Sequence, residues 1–235
     1  TSIVGILNIL DEFKFNGEQK KYIDVIKKAS NDIISVANDI IDILNLEQGG
    51  INLKNSITSV QSIIDSCQKV INSKTKKKAI NIKFKIDIDI PKKISVDITR
   101  LEQIIINLLN NSIYNTDDSG QIVVVATIFR DKDAVTFDYP FEYQKTTAPL
   151  VNILFRVKDT GSGIDDDKKE IIDTILGIDN NNKMTDTKMS YKFNGFGLYI
   201  SKKLCNLMNG HIWFKTEKDI GSVFYFNIIC EGFYL

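Results

Sequence analysis

Two asparagines four residues apart are the first side chains in this sequence whose types and spacing could do chemistry. Asn107 and Asn111 stand in a stretch, residues 100–113, that reads as a helix, so both amides project from one helix face. Amide oxygens are hard, neutral ligands that suit Mg²⁺ when it bridges to phosphates. The pair alone is more typical of a solvated helix face, so its meaning depends on the segments that accompany it.

A second segment, Asp159-Thr-Gly161-Ser-Gly163, follows directly after a predicted strand over residues 151–157. A carboxylate at a strand end can accept a hydrogen bond from an exocyclic amine such as N6 of adenine. Glycines allow the backbone to approach a flat base closely, because they carry no side chain. The alternative reading of this segment is an ordinary tight turn.

The third segment is Gly195-Phe-Gly197-Leu198, which opens a predicted helix. Glycines before a helix leave free backbone N–H groups and the positive end of the helix dipole, and both can face a phosphate. A single Gly-x-Gly is weak evidence. The three segments in this order are much more specific than any one of them.

The elements that position these segments predict an α+β domain from residue 69 to residue 235. An alternation of isoleucine and phenylalanine over residues 80–90, closed by Pro91, is typical of a strand with one buried face. A polar, aromatic-containing connection over residues 130–149 indicates a surface hairpin or insertion. The other predicted elements are strands at 121–129 and 151–157, a helix at 201–208, and a closing hairpin of 211–215 with 222–229. Helices on one face of a mixed, mostly antiparallel sheet are the expected layering.

The first part of the chain, residues 1–68, predicts a helical hairpin. Residues 1–13 read as the end of a helix, Asn16-Gly17 as a turn, and a long helix begins at Glu18 and ends at Gly49-Gly50. The long helix carries apolar residues in a heptad stripe: Tyr22, Ile26, Ala29, Ile33, Val36, Ile40 and Ile43. Such a seam faces a neighbouring helix in coiled coils and four-helix bundles.

One hairpin cannot cover this apolar surface, because Ile23, Ile34 and Ile41 widen the stripe. We therefore expect a homodimer in which two hairpins form a four-helix bundle. The alternative is a helical lid that packs on the second domain of the same chain.

Composition narrows the classes of function. Lysine plus arginine and aspartate plus glutamate number 30 each, so no overall field attracts nucleic acid or an anionic membrane. Three scattered cysteines without CxxC spacing disfavour a zinc site or a disulfide framework and favour a reducing compartment. We expect a cytoplasmic region without direct membrane contact, although its parent protein could be membrane-anchored.

The three segments together resemble the nucleotide-binding boxes of sensor histidine kinases. Residues 97–112 are similar to the N box, residues 157–164 look like the G1 box, and residues 194–201 look like the G2 box. Residues 208–213 and 221–226 resemble the closing strands of that family. Residues 1–7 and 44–53 resemble the tail of the H box and the end of the second dimerisation helix in hybrid-type kinases. The resemblance covers nearly the whole chain.

The resemblance implies a Bergerat-type (GHKL) site for ATP and Mg²⁺, with a mobile lid over residues 165–193. The implied roles are metal and phosphate binding by Asn107 and Asn111, adenine binding by Asp159, a base pocket shaped by Gly161 and Gly163, and phosphate binding by Gly195, Gly197 and Leu198. In the family the γ-phosphate passes to a histidine of the bundle and then to an aspartate in a response regulator receiver domain.

The phospho-accepting histidine is expected shortly before Thr1, so no catalytic residue is predicted within this chain. His211, the only histidine present, corresponds to a variable position at the start of a strand. This chain by itself is expected to bind nucleotide without phosphorylating itself.

Three departures from the family pattern keep other readings open. Tyr114 replaces a lysine that usually contacts phosphate, Asn115 replaces an aromatic that usually packs on the nucleotide, and Phe193 replaces the first G2 glycine. One alternative is thus a degenerate, kinase-like module that dimerises and scaffolds a signalling assembly. Another is a mismatch-repair, gyrase or chaperone ATPase, but Glu102 lies too far before Asn107 for the catalytic acid of those enzymes. A phosphatase role toward a partner regulator is compatible with the kinase reading.

Overall fold

The computed structural model of this chain describes residues 16–142, 145–178 and 196–234. It divides into two compact units, Thr1–Ile51 and Asn52–Leu235. Along the described part of the chain, no helix combines the length and the apolar character needed to cross a bilayer.

The first unit contains one long described helix, α1 (Gly17–Glu47). Its N-cap is Asn16, whose side-chain oxygen accepts a hydrogen bond from the Gln19 backbone N–H while the Gln19 side chain accepts one from the Asn16 N–H. Its C-cap is Gln48, and Gly49 then adopts a φ of +65°. These bounds confirm the long helix of the predicted hairpin. The helix predicted over residues 1–13 lies outside the described residues.

The second unit is a mixed sheet covered by helices, which confirms the predicted α+β class. Its strands are β1 (Ser56–Thr58), β2 (Asn81–Ile86), β3 (Lys93–Val96), β4 (Gln121–Ile128), β5 (Leu150–Asp159), β6 (Ile212–Glu217) and β7 (Gly221–Phe233). Its described helices are α2 (Val60–Lys78), α3 (Ile98–Asn115), α4 (Asp131–Thr136), α5 (Asp166–Leu176) and α6 (Phe196–Leu207). The strand order is β1-β3-β7-β5-β4-β2, with β6 also paired to β7. All pairs are antiparallel except β2 with β4.

Residue 68, where the sequence predicted the boundary between domains, lies inside helix α2 of the second unit. The helix belongs there because it buries Ile63, Ile64, Cys67 and Ile71 and packs against α3. The structure thus places the start of the second unit at Asn52, before the first edge strand β1.

One face of the sheet carries the main core and fixes the position of α3. In β5 and β7, the rings of Phe155 and Phe226 stack with their centroids 4.7 Å apart. The N-cap of helix α3 is Asp97, whose carboxylate accepts a hydrogen bond from the Arg100 N–H, and the helix has a fully buried apolar stripe. The stripe comprises Leu101, Ile104, Ile105, Leu108 and Leu109. Burial of this stripe holds the opposite, polar face of α3 in a fixed orientation.

The strand predicted over residues 80–90 is shorter than its alternation indicated. Strand β2 ends at Ile86, and Ile88 is 96% exposed. The strand ends because the Asp87 side chain accepts a hydrogen bond from the Asp89 N–H and closes a turn. The elements β1, α2, β3 and α5 were not predicted.

The connection between β4 and β5 is not a hairpin in its described residues. It contains the short helix α4, after which Phe137 and Tyr139 pack on the face of the sheet opposite α3. There the Tyr139 ring lies 4.8 Å from Trp213, centroid to centroid, and the Trp213 indole N–H donates to the Phe137 carbonyl oxygen at 3.1 Å. The aromatic residues of the connection therefore form a small second core.

Lys78, the last residue of α2, secures the end of α3. Its Nζ donates hydrogen bonds to the carbonyl oxygens of Ile113, Tyr114 and Thr116 at 2.9, 3.1 and 3.0 Å. A cation at the C-terminus of a helix is also favoured by the helix dipole. The last carbonyl groups of a helix have no hydrogen-bond donor within the helix, and Lys78 supplies one.

We expect Lys78→Met to lower the free energy of unfolding by about 1.5 to 3 kcal/mol, because it removes charged hydrogen bonds but keeps the aliphatic stem. Urea denaturation followed by circular dichroism measures the change. Lys69→Met, at an exposed position of the same helix, is the control. Equal denaturation midpoints for the two variants would contradict the role assigned to Lys78.

Candidate functional site

A cleft of about 840 Å³ opens in the second unit beside the C-terminal part of α3. Its other walls are the segment after β5, helix α5, the start of α6 and the turn between β6 and β7. Four residues that the sequence predicted for nucleotide binding line it: Asn111, Asp159, Gly163 and Leu198. The three predicted segments therefore contribute to one cavity.

The two asparagines of α3 that the sequence predicted as ligands lie in different surroundings. Asn111 lines the cleft. Asn107, one turn earlier, donates through Nδ2 to the Gly197 carbonyl oxygen at 3.1 Å and to the Ser201 hydroxyl oxygen at 3.4 Å. Asn107 thus ties α3 to α6, and its remaining polar atom is the amide oxygen.

Asp159, at the end of β5, is the most constrained polar residue of the cleft and is only 3% exposed. Its Oδ1 accepts hydrogen bonds from the backbone N–H groups of Gly161 and Ser222 at 3.0 and 3.1 Å. Its Oδ2 accepts one from the Ser112 hydroxyl at 3.1 Å. Burial raises the pKa of the Asp159 carboxyl above its ordinary value, although these three hydrogen bonds act to lower it. Oδ2 keeps acceptor capacity for a ligand, since only one donor occupies it.

The glycines after Asp159 are required by close approach of the backbone. A methyl group on Gly161 would collide with the Asn115 carbonyl oxygen at the end of α3. Gly163 has a φ of +72°, and a methyl group there would collide with the Glu217 carbonyl oxygen. These contacts pack the segment after β5 tightly between α3 and the β6–β7 turn.

The predicted phosphate-binding segment is described only in part. Gly197 lies in the first turn of α6, where a methyl group would come within 3.3 Å of the Asn107 side chain, and Leu198 lines the cleft. Gly195 and Phe193 lie outside the described residues. Of the predicted lid, residues 165–193, the structure describes the part to residue 178, most of which forms helix α5.

Several residues in and around the cleft were not predicted from the sequence. Helix α5 contributes Ile171, Ile172 and Ile175, an apolar face whose helical spacing could have been recognised. Ser112 and Ser222, the hydrogen-bond donors to Asp159, carried no sequence signal because their partner is distant in the chain.

His211 lies outside the cleft, directly before β6. Its Nδ1 is 2.8 Å from the Tyr139 hydroxyl oxygen, and its ring stacks on Phe141. Burial lowers the pKa of the His211 imidazole. Its contacts are those of the second aromatic core.

A family model described as histidine kinase-, DNA gyrase B-, and HSP90-like ATPase matches residues 96–231. Hybrid signal transduction histidine kinase B of Dictyostelium discoideum is 29% identical to this chain over 234 residues. That alignment covers 98% of this chain and 11% of the Dictyostelium protein, so the chain corresponds to a small part of this relative.

Two solved structures show the same fold. The crystal structure of full-length ShkA in complex with AMPPNP matches with a TM-score of 0.69 at 20% identity, covering 99% of this chain and 43% of ShkA. The complex of the histidine kinase ThkA with the response regulator TrrA matches with a TM-score of 0.58 at 22% identity, covering 97% of this chain and 57% of ThkA.

Proposed function

Because the chain belongs to the family of histidine kinase-, DNA gyrase B- and HSP90-like ATPases, and within it to the sensor histidine kinases, we propose that its cleft binds ATP for phosphoryl transfer. The γ-phosphate passes to a histidine of the kinase and then to an aspartate of a response regulator. The observation that carries this proposal is the buried carboxylate of Asp159, with an acceptor oxygen at the cleft.

Asp159 would recognise adenine through its N6 amine. Two backbone N–H groups hold Oδ1, so Oδ2 is the oxygen left to accept a hydrogen bond from the base. The apolar side chains of α5 and Leu198 supply surface for a flat ring. An adenine amine donates where a guanine carbonyl would accept, so this arrangement favours ATP over GTP.

The donor set near α3 is compatible with Mg²⁺. Asn111 lines the cleft, and the hydrogen bonds of Asn107 occupy its amide nitrogen and leave its amide oxygen as a possible ligand. Mg²⁺ bound with a nucleotide needs one or two protein oxygens, because phosphates and waters complete its coordination. We propose that these two amides hold Mg²⁺, which would neutralise charge on the phosphates.

The contribution of this chain to the reaction would be positioning. Phosphoryl transfer needs little covalent chemistry from the protein, since alignment and charge neutralisation lower most of the barrier. The close contacts of α3 with residues 159–163 and with α6 would supply such alignment. The residues that receive the phosphate would come from elsewhere in the kinase and its regulator.

Two partners belong to the same proposal. A second copy of this chain would pair through α1, on which Tyr22, Ile26 and Ile33 of the heptad stripe are more than half exposed. The receiver domain of a response regulator would be the second partner. ThkA, whose chain has the same fold, was solved in complex with the response regulator TrrA.

A dimeric scaffold without kinase activity is the second candidate. It is favoured by Tyr114 and Asn115, which are neutral, exposed and at the edge of the cleft. Nucleotide titration separates the two candidates, because a scaffold with a degenerate site would not bind ATP in a metal-dependent way.

The test of the kinase proposal is calorimetric titration of the chain with ATP, with and without Mg²⁺. We expect metal-dependent binding by the wild type and its loss in Asn111→Ala, because one amide ligand is removed from the site. Asn72→Ala, at an exposed position on α2 away from the cleft, is the matched control and should bind as the wild type does. Unchanged binding in Asn111→Ala would refute the assignment of the metal ligand.

A further inference from the structure

The charge on the walls of the cleft is unevenly distributed. The wall formed by α3 presents Asn110, Asn111 and Tyr114, all of them neutral. The lysines that line the described cleft, Lys168 and Lys218, lie on α5 and the β6–β7 turn. Nζ of Lys218 already forms an ion pair with Asp165 at 3.1 Å. A nucleoside polyphosphate has several negative charges, and the described lining residues of α3 supply no cation to balance them.

Lys74 on the neighbouring helix α2 is a cation directly behind this neutral wall. Its Nζ donates a hydrogen bond to Oδ1 of Asn110 at 2.8 Å, and Asn110 lines the cleft. The bond is exposed to solvent, so a lysine side chain can leave it at little cost. Lys78, one turn further along α2, differs because it is engaged by three carbonyl oxygens.

We propose that Lys74 is a binding residue for the phosphates of the nucleotide, acting across α3 from the adjacent helix. This inference rests on the proposed ATP site. An ammonium group on a flexible four-carbon stem can remain on Asn110 and polarise its amide, or move past it to the phosphates. In both positions its charge stabilises a polyphosphate and has no effect on the adenosine part of the ligand.

The number of phosphates therefore provides the test. We expect Lys74→Met to raise the dissociation constant of Mg·ATP by about three- to tenfold, as for one unit charge several ångströms from the phosphates in a partly solvated site. The rise should be smaller for ADP and absent for adenosine. Calorimetric or competition titration of the three ligands on the wild-type chain and the variant measures these changes.

Three further variants make the result specific. Lys69→Met removes a charge from the exposed surface of the same helix and should leave all three affinities unchanged. Lys74→Arg should retain ATP affinity because it keeps the charge. Asn110→Ala combined with Lys74→Met should weaken ATP binding by less than the product of the two single effects, because the two residues act together.

The outcomes separate this inference from the proposed function. Binding of ATP by the wild type with an unchanged affinity in Lys74→Met would overturn the role of Lys74 and leave the ATP site standing. An equal loss of affinity for adenosine and ATP would also overturn it, since that pattern indicates a disturbed fold. Absence of ATP binding by the wild type would overturn both.

Discussion

Asp159→Asn is expected to weaken ATP binding by about a hundredfold or more, because a buried charge-assisted hydrogen bond is lost and two donors are brought together. Backbone N–H groups of Gly161 and Ser222 will hold the amide oxygen of the new side chain where Oδ1 now lies. The amide nitrogen then takes the place of Oδ2. It would face the adenine amine, donor against donor.

The fold should tolerate this change, with a free energy of unfolding within about 1 kcal/mol of the wild type. The Ser112 hydroxyl can accept a hydrogen bond from the new amide as readily as it now donates one to the carboxylate. Burial penalises the ionised carboxylate, and the substitution removes that penalty. Asp118→Asn, at an exposed position after α3, is the control. Wild-type ATP affinity in Asp159→Asn would refute adenine recognition by this residue.

The pH dependence of binding gives an independent check on Asp159. Its pKa in the folded protein is raised above the ordinary 3.8 by burial, so the residue contributes most to stability when it is protonated at low pH. That contribution decreases as the pH rises through the raised pKa. ATP affinity should behave in the opposite way, since only the carboxylate is a full acceptor. The ATP affinity of the wild type should fall as the pH is lowered, and the fall should begin above pH 3.8. The pH profile of ATP affinity should be flatter in Asp159→Asn.

Ile33→Asp is expected to convert the proposed dimer into a monomer and halve the mass measured by light scattering. Ile33 is 68% exposed on α1, in the heptad stripe that the dimer would bury. The dimer would then bury two carboxylates, one from each copy, without a partner of opposite charge. The free energy needed to desolvate them exceeds the free energy that a single interface contact contributes. Because the substitution is outside the second unit, ATP binding should persist.

Asn31→Asp provides the matched control for the dimer. Residues two positions apart on a helix point in nearly opposite directions, so this carboxylate falls on the polar side of α1. The control should keep the mass of the wild type. A dimer of unchanged mass in Ile33→Asp would contradict the four-helix bundle, and the helical lid on the same chain would then be the better interpretation.

Regular periodicity made much of the fold predictable. The heptad stripe of α1 predicted a helix close to the observed bounds, because it repeats over several turns, and the helix predicted over residues 100–113 falls within α3. Strand β2 was predicted too long, since Ile88 continues the alternation in a turn that has left the sheet. Helix α2 was missed because its second half is rich in lysine. The helix is stabilised by burial of its apolar residues against α3, and no local sequence pattern indicates that contact.

The site was predictable where one short segment contains both the chemistry and its position. Asp159 and Gly163 follow a strand end, and the structure brings both to the cleft. The hydrogen bond between Asn107 and Gly197 joins residues 90 positions apart, so it depends on how α3 and α6 pack. The proximity of Lys74 to Asn110 has the same origin.

The second aromatic core has a consequence for optical measurements on this protein. Trp213 is the only tryptophan in the chain, is 1% exposed, and lies beneath Tyr139 of the β4–β5 connection. Tyr225 of β7 pairs with Trp213 across the strands and packs against it. Phe224, the residue before Tyr225, lines the cleft, so Tyr225 and Trp213 face the opposite side of the sheet. The tryptophan fluorescence of the protein thus originates on the far side of the sheet from the proposed ATP site. It reports detachment of the connection from the sheet, whereas Tyr114 is the tyrosine that lines the described cleft itself.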